Sequence, residues 1–259
     1  MKGSRRNFLK IAGLATLGAG VKPMIDAVAL SGPPTEFRTL PAHSALKAAR
    51  WAMVVDTRQF KSPDDFAPII AACHDLHNVP RLENKKHEIK WIWQEGYLHA
   101  LADGEYQYVS ERIKNLPFLV LCNHCEKPPC VRVCPTRATF KRPDGIVLMD
   151  YHRCIGCRFC MAACPYGARS FNFRDPRPFI HNVNPEFPTR MKGVVEKCNF
   201  CAERLAAGNQ PACVEASKGA LVFGDLGDPD SNVRSLLKSN FSIRRKPGLG
   251  TGPAVFYIL

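Results

Sequence analysis

The feature that most constrains this chain is the spacing of its cysteines. The sequence has 259 residues and 12 cysteines, and most of them fall in two runs with a common plan. In each run three cysteines precede a fourth, which stands directly before a proline. Thiols grouped so closely on short segments are typical of ligands to a metal or a metal cluster. The two runs are Cys122, Cys125, Cys130 and Cys134-Pro135, and Cys154, Cys157, Cys160 and Cys164-Pro165.

The second run has the spacing Cys-x2-Cys-x2-Cys-x3-Cys-Pro, which is typical of bacterial ferredoxins. In that arrangement three cysteines ligate one 4Fe-4S cluster and the fourth ligates the cluster of the neighbouring run. The first run follows the same plan with a longer step before its third cysteine. We therefore predict that the runs exchange their fourth cysteines. The predicted ligands are Cys122, Cys125, Cys130 and Cys164 for cluster 1, and Cys154, Cys157, Cys160 and Cys134 for cluster 2.

The remaining cysteines form a third group. The repeated pattern lacks cysteines at two places near this group, and the two absences are consistent with each other. Late in the chain, three cysteines precede Ser217, which stands where the pattern has its fourth cysteine. Upstream of the first run, segment 58–65 has no cysteine where three ligands would be expected. If these two runs also exchange their fourth cysteines, the missing ligands all belong to one cluster. The partner cluster then keeps all four of its ligands. Three 4Fe-4S clusters therefore account for all 12 cysteines. The predicted ligands of cluster 3 are Cys198, Cys201, Cys213 and Cys73.

Other interpretations of the cysteines compete with this one. Three all-thiolate zinc sites would use the same 12 residues. Disulfides suit an exported protein with an even cysteine count, although thiols only two residues apart are poor partners. A c-type haem needs Cys-x2-Cys-His, and it is excluded because Glu126, Arg158 and Ala202 follow Cys125, Cys157 and Cys201.

Few other residues are candidates for chemistry. Three histidines stand close to cysteines in the sequence, and we interpret them as neighbours of the sites or as surface residues rather than as ligands. An oxygen ligand at Ser217 is a minority interpretation. No phosphate-binding loop, catalytic triad or paired carboxylate stands out, so no catalytic residue is predicted. The three histidines are His74, His77 and His124.

The N-terminus predicts export. Arg5-Arg6 followed by Phe-Leu-Lys and a short apolar stretch resembles a twin-arginine signal, and Ala27-Val28-Ala29 resembles a cleavage site. The alternative is a basic amphipathic N-terminus with a chance pair of arginines. We predict a signal at 1–29, a linker at 30–48 and a double ferredoxin-like 4Fe-4S domain at 49–259. The predicted location is the periplasm.

The chain is basic, with a formal net charge of +13. This excess is compatible with an acidic protein surface, an anionic membrane or nucleic acid, and charge alone selects none of them. Since no nucleic-acid-binding motif accompanies it, we expect protein partners and no nucleic acid.

Secondary structure is expected to be short and repeated. The pattern predicts strands at Trp51–Asp56 and 254–258, and helices at 66–74, 198–207 and 231–238. A cysteine-bearing helical turn followed by a short strand occurs three times, beginning at Cys130, Cys160 and Cys213. Repeated units of this kind predict an α+β fold of duplicated bacterial-ferredoxin-like domains, with short helices and small antiparallel hairpins around the clusters.

Residues 50–259 resemble a known family, the iron-sulfur subunits of polysulfide, nitrite and dimethyl-sulfoxide reductases. The segments that carry the resemblance are 122–130, 164–169 and 219–226. The resemblance implies a pseudo-twofold pair of ferredoxin-like halves that dock on an integral-membrane, NrfD-type subunit that interacts with quinone. The chain departs from the family pattern around Lys61-Ser62 and at Ser217-Lys218, which puts a fourth cluster in doubt.

Within this family, segment 72–80 and the N-terminus resemble the DsrO type of periplasmic subunit, which belongs to the DsrMKJOP complex of sulfur metabolism. This resemblance implies a DsrP-like membrane subunit, a DsrJ-like multihaem cytochrome c and DsrMK-type subunits as partners. The expected function is to relay single electrons through three 4Fe-4S clusters in a membrane-bound, quinone-linked complex. The alternatives are the iron-sulfur subunit of a periplasmic molybdopterin reductase and a zinc-stabilised assembly module.

Overall fold

The fold is known from a computed structural model, which describes residues 44–101 and 108–259. The predicted signal, 1–29, and most of the predicted linker, 30–43, lie outside the described residues. Among the described residues, no helix has both the length and the apolar character needed to span a bilayer.

The described chain alternates short helices with short strands. The strands are β1 Trp51–Asp56, β2 Ile92–Gly96, β3 Pro117–Leu121, β4 Thr139–Lys141, β5 Val147–Met149, β6 Ser170–Phe171, β7 Val195–Glu196, β8 Leu221–Asp225, β9 Ser242–Ile243 and β10 Val255–Ile258. The helices are α1 Ala67–Leu76, α2 Tyr97–Ala100, α3 Glu111–Lys114, α4 Pro129–Arg132, α5 Phe159–Ala162, α6 Ala202–Ala206, α7 Ala212–Ala216 and α8 Asn232–Ser239. Short 3-10 turns lie at Thr57–Gln59, Pro63–Phe66, Lys85–His87, Arg177–Phe179 and Pro247–Leu249. This mixture is an α+β arrangement.

A four-stranded sheet joins the start of the described chain to its end. Its strand order is β8-β1-β10-β9. Val54 in β1 faces Phe256 of the parallel strand β10 and Val222 of the antiparallel strand β8. All of Trp51–Val55 is buried, because β1 is covered by neighbours on both edges and by packing on both faces. The strands predicted at Trp51–Asp56 and at the chain end are confirmed.

The repeated unit of a helical turn and a strand is confirmed. Helix α4 precedes β4, α5 precedes β6, and α7 precedes β8. The strands β4 and β5 form an antiparallel hairpin, joined by a turn that contains Gly145. Two further antiparallel strand pairs, with longer connections, join β2 to β3 and β6 to β7.

The first Cys-x2-Cys pair of each cysteine group is carried by a loop with the same backbone turn. The residue directly before the second cysteine has a left-handed φ in all three loops, at His124 (41°), Gly156 (70°) and Phe200 (54°). This conformation is uncommon for residues other than glycine, so its recurrence indicates that the three loops have one shape.

Three predicted helices differ in extent from the observed ones. The helix expected at 198–207 begins only at Ala202, because residues 198–201 form one of the cysteine loops. The helix expected at 66–74 is observed at Ala67–Leu76. The last helix, expected at 231–238, is observed at Asn232–Ser239, and the Ser231 side chain caps it by accepting a hydrogen bond from the Arg234 amide.

Candidate metal centres

Site 1 is a small cavity lined by cysteines from both runs. Strand β3 ends at Leu121 and leads directly into the first cysteine loop. Helix α4 carries Cys130, and Cys164 follows helix α5. The run that begins at residue 122 therefore supplies three thiols and the later run supplies the fourth. The cysteines around this cavity are Cys122, Cys125, Cys130 and Cys164.

Site 2 is a second cavity with the reciprocal composition. Helix α5 carries Cys160, and Cys134 follows α4. The backbone amide of Thr139 donates to the Cys134 sulfur over 3.5 Å. Burial acts to raise the pKa of Cys134, but hydrogen bonds from Thr139, Thr136 and Ala138 outweigh it and lower that pKa. The cysteines around this cavity are Cys134, Cys154, Cys157 and Cys160.

Site 3 is a group of four buried thiols drawn from distant parts of the chain. Helix α1 carries Cys73, the loop before α6 carries two cysteines, and α7 carries Cys213. Burial raises the pKa of Cys73, and negative charge on the other three thiols raises it further. The packing agrees, since Cys73, Cys198 and Cys213 belong to one cluster of buried residues. The fourth thiol, Cys201, lies within 4.8 Å of a ring nitrogen of His77, and His77 Nδ1 is 3.7 Å from Cys73 Sγ. The members of site 3 are Cys73, Cys198, Cys201 and Cys213.

The three sites lie in the order 2, 1, 3. Cys130 of site 1 and Cys160 of site 2 belong to one cluster of packed buried side chains. The His124 ring, in the loop that carries Cys122 and Cys125, stacks on the Phe200 ring, in the loop that carries Cys198 and Cys201, with centroids 3.7 Å apart. Site 1 therefore adjoins both other sites, and we call this series of three sites the row.

The position of the degraded fourth set is filled by ordinary structure. The Ser217 hydroxyl donates to the carbonyl of Val214 over 2.7 Å and accepts from the Leu221 amide over 3.0 Å. Upstream, Phe60 and Phe66 pack edge to face with ring centroids 4.6 Å apart. All 12 cysteines already belong to sites 1 to 3, so no thiol remains for a fourth site.

We expect Ser217→Cys to leave the iron content unchanged. The added thiol would have no partners, because Arg58, Lys61 and Ser62 occupy the segment where three more ligands would be needed. Metal analysis of the variant beside the parent protein checks this. An increase of about four irons per chain would show that the position still binds a cluster.

The surroundings of the buried Arg169 side chain indicate whether site 1 suits an anionic cluster. Arg169 is only 5% exposed, and its Nη1 donates to Thr139 Oγ1 over 3.1 Å. Among the described residues, nothing accepts a hydrogen bond from its Nη2, and the side chain lines the site 1 cavity. Burial alone would lower the pKa of Arg169, but negative charge on Cys130, Cys160 and Cys122 outweighs burial and raises it.

Asn123 repeats the same pattern in site 1. It is 1% exposed, and its side-chain amide finds no hydrogen-bond partner among the described residues. It also lines the site 1 cavity. Buried donors without acceptors are costly, and a cluster with anionic sulfur would supply acceptors. The residues of site 1 therefore fit an iron-sulfur cluster.

A second buried cation lies beside the first and third sites. Lys197 is 1% exposed, and its Nζ donates to the carbonyl groups of Val147 and Cys198. Among the described residues, no carboxylate lies within ion-pair distance of it. Val147 lines the site 1 cavity and Cys198 belongs to site 3, so the ammonium group lies at the junction of the two sites.

The three histidines differ in their surroundings. His77 is buried beside site 3, with Nδ1 2.8 Å from the Cys73 carbonyl oxygen and Nε2 2.8 Å from Glu203 Oε1. His124 is buried beside site 1, where it accepts a hydrogen bond from the Val147 amide and burial lowers its pKa. His74 is partly buried, and burial lowers its pKa to about 4.

Sequence reasoning did not identify Arg169, Lys197 or Asn123 as residues of the sites. The sequence did contain a signal for these residues, because each polar side chain stands close in sequence to a cysteine. Lys197 directly precedes Cys198, and Arg169 ends the segment that follows Cys164. A cation inside an otherwise buried cysteine segment is the pattern that would have found them.

Comparison with known proteins places the sites in context. A family model described as a 4Fe-4S dicluster domain matches residues 115–176, which contain all the cysteines of sites 1 and 2. Site 3 lies outside that match.

Similarity to characterised proteins extends over nearly the whole chain. An Hdr-like menaquinol oxidoreductase iron-sulfur subunit 1 from Archaeoglobus fulgidus is 43% identical, over 98% of this chain and 97% of the relative. A subunit of the tetrathionate reductase from Salmonella typhimurium is 34% identical, over 100% of this chain and 89% of the relative. The iron-sulfur cluster-binding subunit of menaquinone reductase from Nitratidesulfovibrio vulgaris is 35% identical, over 81% and 88% respectively.

Proposed function

Because this chain belongs to the family of 4Fe-4S iron-sulfur subunits of oxidoreductases, we propose that it relays single electrons through three clusters, one at each of sites 1, 2 and 3. The observation that carries this proposal is the row of three four-cysteine sites, in which site 1 packs against site 2 through Cys130 and Cys160 and against site 3 through the stacked rings of His124 and Phe200. When bound, each cluster accepts and releases one electron. The chain itself supplies the thiolate ligands and keeps neighbouring sites close together.

The two ends of the row differ in exposure. At site 3 all four cysteines are buried, whereas at site 2 Cys134, Cys154 and Cys157 are only partly buried. Two apolar side chains stand in solvent beside site 2, Ile155 (67% exposed) and Phe159 (60% exposed). An exposed apolar surface next to a partly exposed site is suited to a protein partner. Site 2 is therefore the end at which electrons pass between this subunit and another redox protein.

The complex that we propose is membrane-associated, linked to quinone and part of sulfur metabolism, with this chain as its DsrO-type subunit. The partners would be an NrfD-type membrane subunit similar to DsrP, a multihaem cytochrome c similar to DsrJ, and DsrMK-type subunits. Support comes from the near-complete match to a menaquinol oxidoreductase subunit and the likeness to a menaquinone reductase subunit. Purification of the tagged chain from detergent-solubilised membranes, followed by mass spectrometry, tests this composition.

A second candidate complex has a distinct support. The chain is also similar over its whole length to a tetrathionate reductase subunit, which favours the iron-sulfur subunit of a periplasmic molybdopterin reductase. Copurification with a molybdenum-containing subunit, without a multihaem cytochrome, would favour this candidate over the first.

The proposed location is the periplasm, after export by the twin-arginine pathway. Arg5-Arg6 and Ala27-Val28-Ala29 support it. Cell fractionation with N-terminal sequencing of the purified chain tests it. Recovery only from the cytoplasm would contradict export, and an intact N-terminus on an exported protein would show that the segment is retained.

The decisive test of the clusters is metal analysis of the full chain purified without oxygen. We expect about twelve irons and about twelve acid-labile sulfides per chain, since each of three clusters contains four of each. Near-zero iron with about three zincs would instead support three tetrathiolate zinc sites and a role in assembly. About eight irons would show that one site is empty.

A further inference from the structure

We propose that Arg169 and Lys197 are tuning residues, each of which holds a positive charge at one junction of the row and raises the reduction potentials of the two clusters that it adjoins. This inference rests on the proposed function. Arg169 serves the junction of sites 1 and 2, and Lys197 serves the junction of sites 1 and 3. The cluster at site 1 is therefore influenced by both cations.

The position of Arg169 carries the first half of the inference. Its side chain lines the site 1 cavity, and its Nη1 donates to Met149 Sδ over 3.6 Å, where Met149 lines the site 2 cavity. The group is nearly inaccessible to solvent, and its Nη2 has no acceptor among the described residues. A guanidinium is protonated at all accessible pH values, so a permanent charge lies between the two sites.

The position of Lys197 carries the second half. Its Nζ contacts the carbonyl oxygen of Val147, on the wall of site 1, and that of Cys198, a member of site 3, the latter at 2.5 Å. The amide of the same Val147 donates to His124 Nδ1 over 3.1 Å, so Lys197 is also linked to the first cysteine loop of site 1. Both charges are thus concentrated around the middle of the row.

The physical consequence follows from burial. Each electron that enters a cluster adds negative charge, and a nearby cation stabilises the reduced form. Solvent and salt screen buried charges much less than exposed ones. Exposed cations such as Arg153 and Lys192 should have little effect, although they lie near the same segments of the chain.

The test is a redox titration of the full chain followed by electron paramagnetic resonance. Arg169→Gln should lower two potentials, Lys197→Gln should lower two, and one potential should respond to both variants. Loss of a signal in Cys73→Ser identifies the cluster at site 3, which should respond to Lys197→Gln and not to Arg169→Gln. Arg153→Gln and Lys192→Gln are the matched controls, and we expect no shift in either.

The conservative variants separate charge from packing. Arg169→Lys and Lys197→Arg keep the positive charge, so their potentials should stay close to those of the parent protein. If a glutamine variant loses iron, the potentials of the charge-conserving variant at the same position test the proposal for that junction. A downward shift in a charge-conserving variant as large as that in its neutral counterpart, or a shift of all three potentials by both glutamine variants, would overturn the inference.

The outcomes distinguish this inference from the proposed function. A parent protein with about twelve irons whose potentials do not respond to either cation contradicts the tuning role alone. A parent protein without iron contradicts the proposed function itself.

Discussion

Cys73→Ser is expected to remove about four of roughly twelve irons, because it deletes one ligand of site 3. Cys73 lies on α1, far in sequence from the other three members of the site, yet burial and their charges act on it directly. Serine keeps the size of the side chain but replaces the thiolate with a poor ligand for iron. Iron and sulfide analysis, with electron paramagnetic resonance of the remaining clusters, measures the result.

The control for this prediction is Ala72→Ser, which places a serine on the same helix without removing a thiol. It should keep the full iron content. An unchanged iron content in Cys73→Ser would show that Cys73 is not a ligand. Loss of all iron would show that the substitution unfolds the chain instead of emptying one site.

Gly156→Ala is expected to empty site 2. Gly156 lies between Cys154 and Cys157 with a φ of +70°, and a Cβ there would stand 2.4 Å from the Gly193 carbonyl oxygen. The atom that it meets belongs to the backbone, so the loop itself must move and displace both thiols. Overpacking of this kind costs about 1–3 kcal/mol, in addition to the cost of left-handed backbone for alanine. We expect loss of about four irons and a lower melting temperature.

Gly167→Ala is the matched control for the steric part of this effect. Gly167 has a similar left-handed φ of +63°, but nothing lies within 4 Å of the position that a Cβ would occupy. Alanine there should lower stability by about 1–2 kcal/mol and leave the iron content unchanged. Equal iron loss in both variants would mean that backbone conformation, and not the contact with Gly193, decides whether site 2 assembles.

Much of the local structure could be predicted because it depends on short-range patterns. Trp51–Asp56 has a continuous apolar sequence and forms a strand, and Ser231 caps the last helix. The helix predicted at 198–207 began too early, because the pattern does not separate a helical turn from a loop that presents thiols. His124 and Phe200 take a left-handed φ in such loops, and no residue preference signals this.

The sequence by itself predicted which thiols belong together, since the spacing within each run is local and the reciprocal fourth cysteine follows the ferredoxin pattern. The structure brings together the same groups of four around sites 1, 2 and 3. Only the tertiary structure decided the order 2, 1, 3 and the burial of Arg169 and Lys197 between the sites. These features depend on contacts between segments far apart in the chain, and whether a cation faces solvent or a cluster depends on what packs over it.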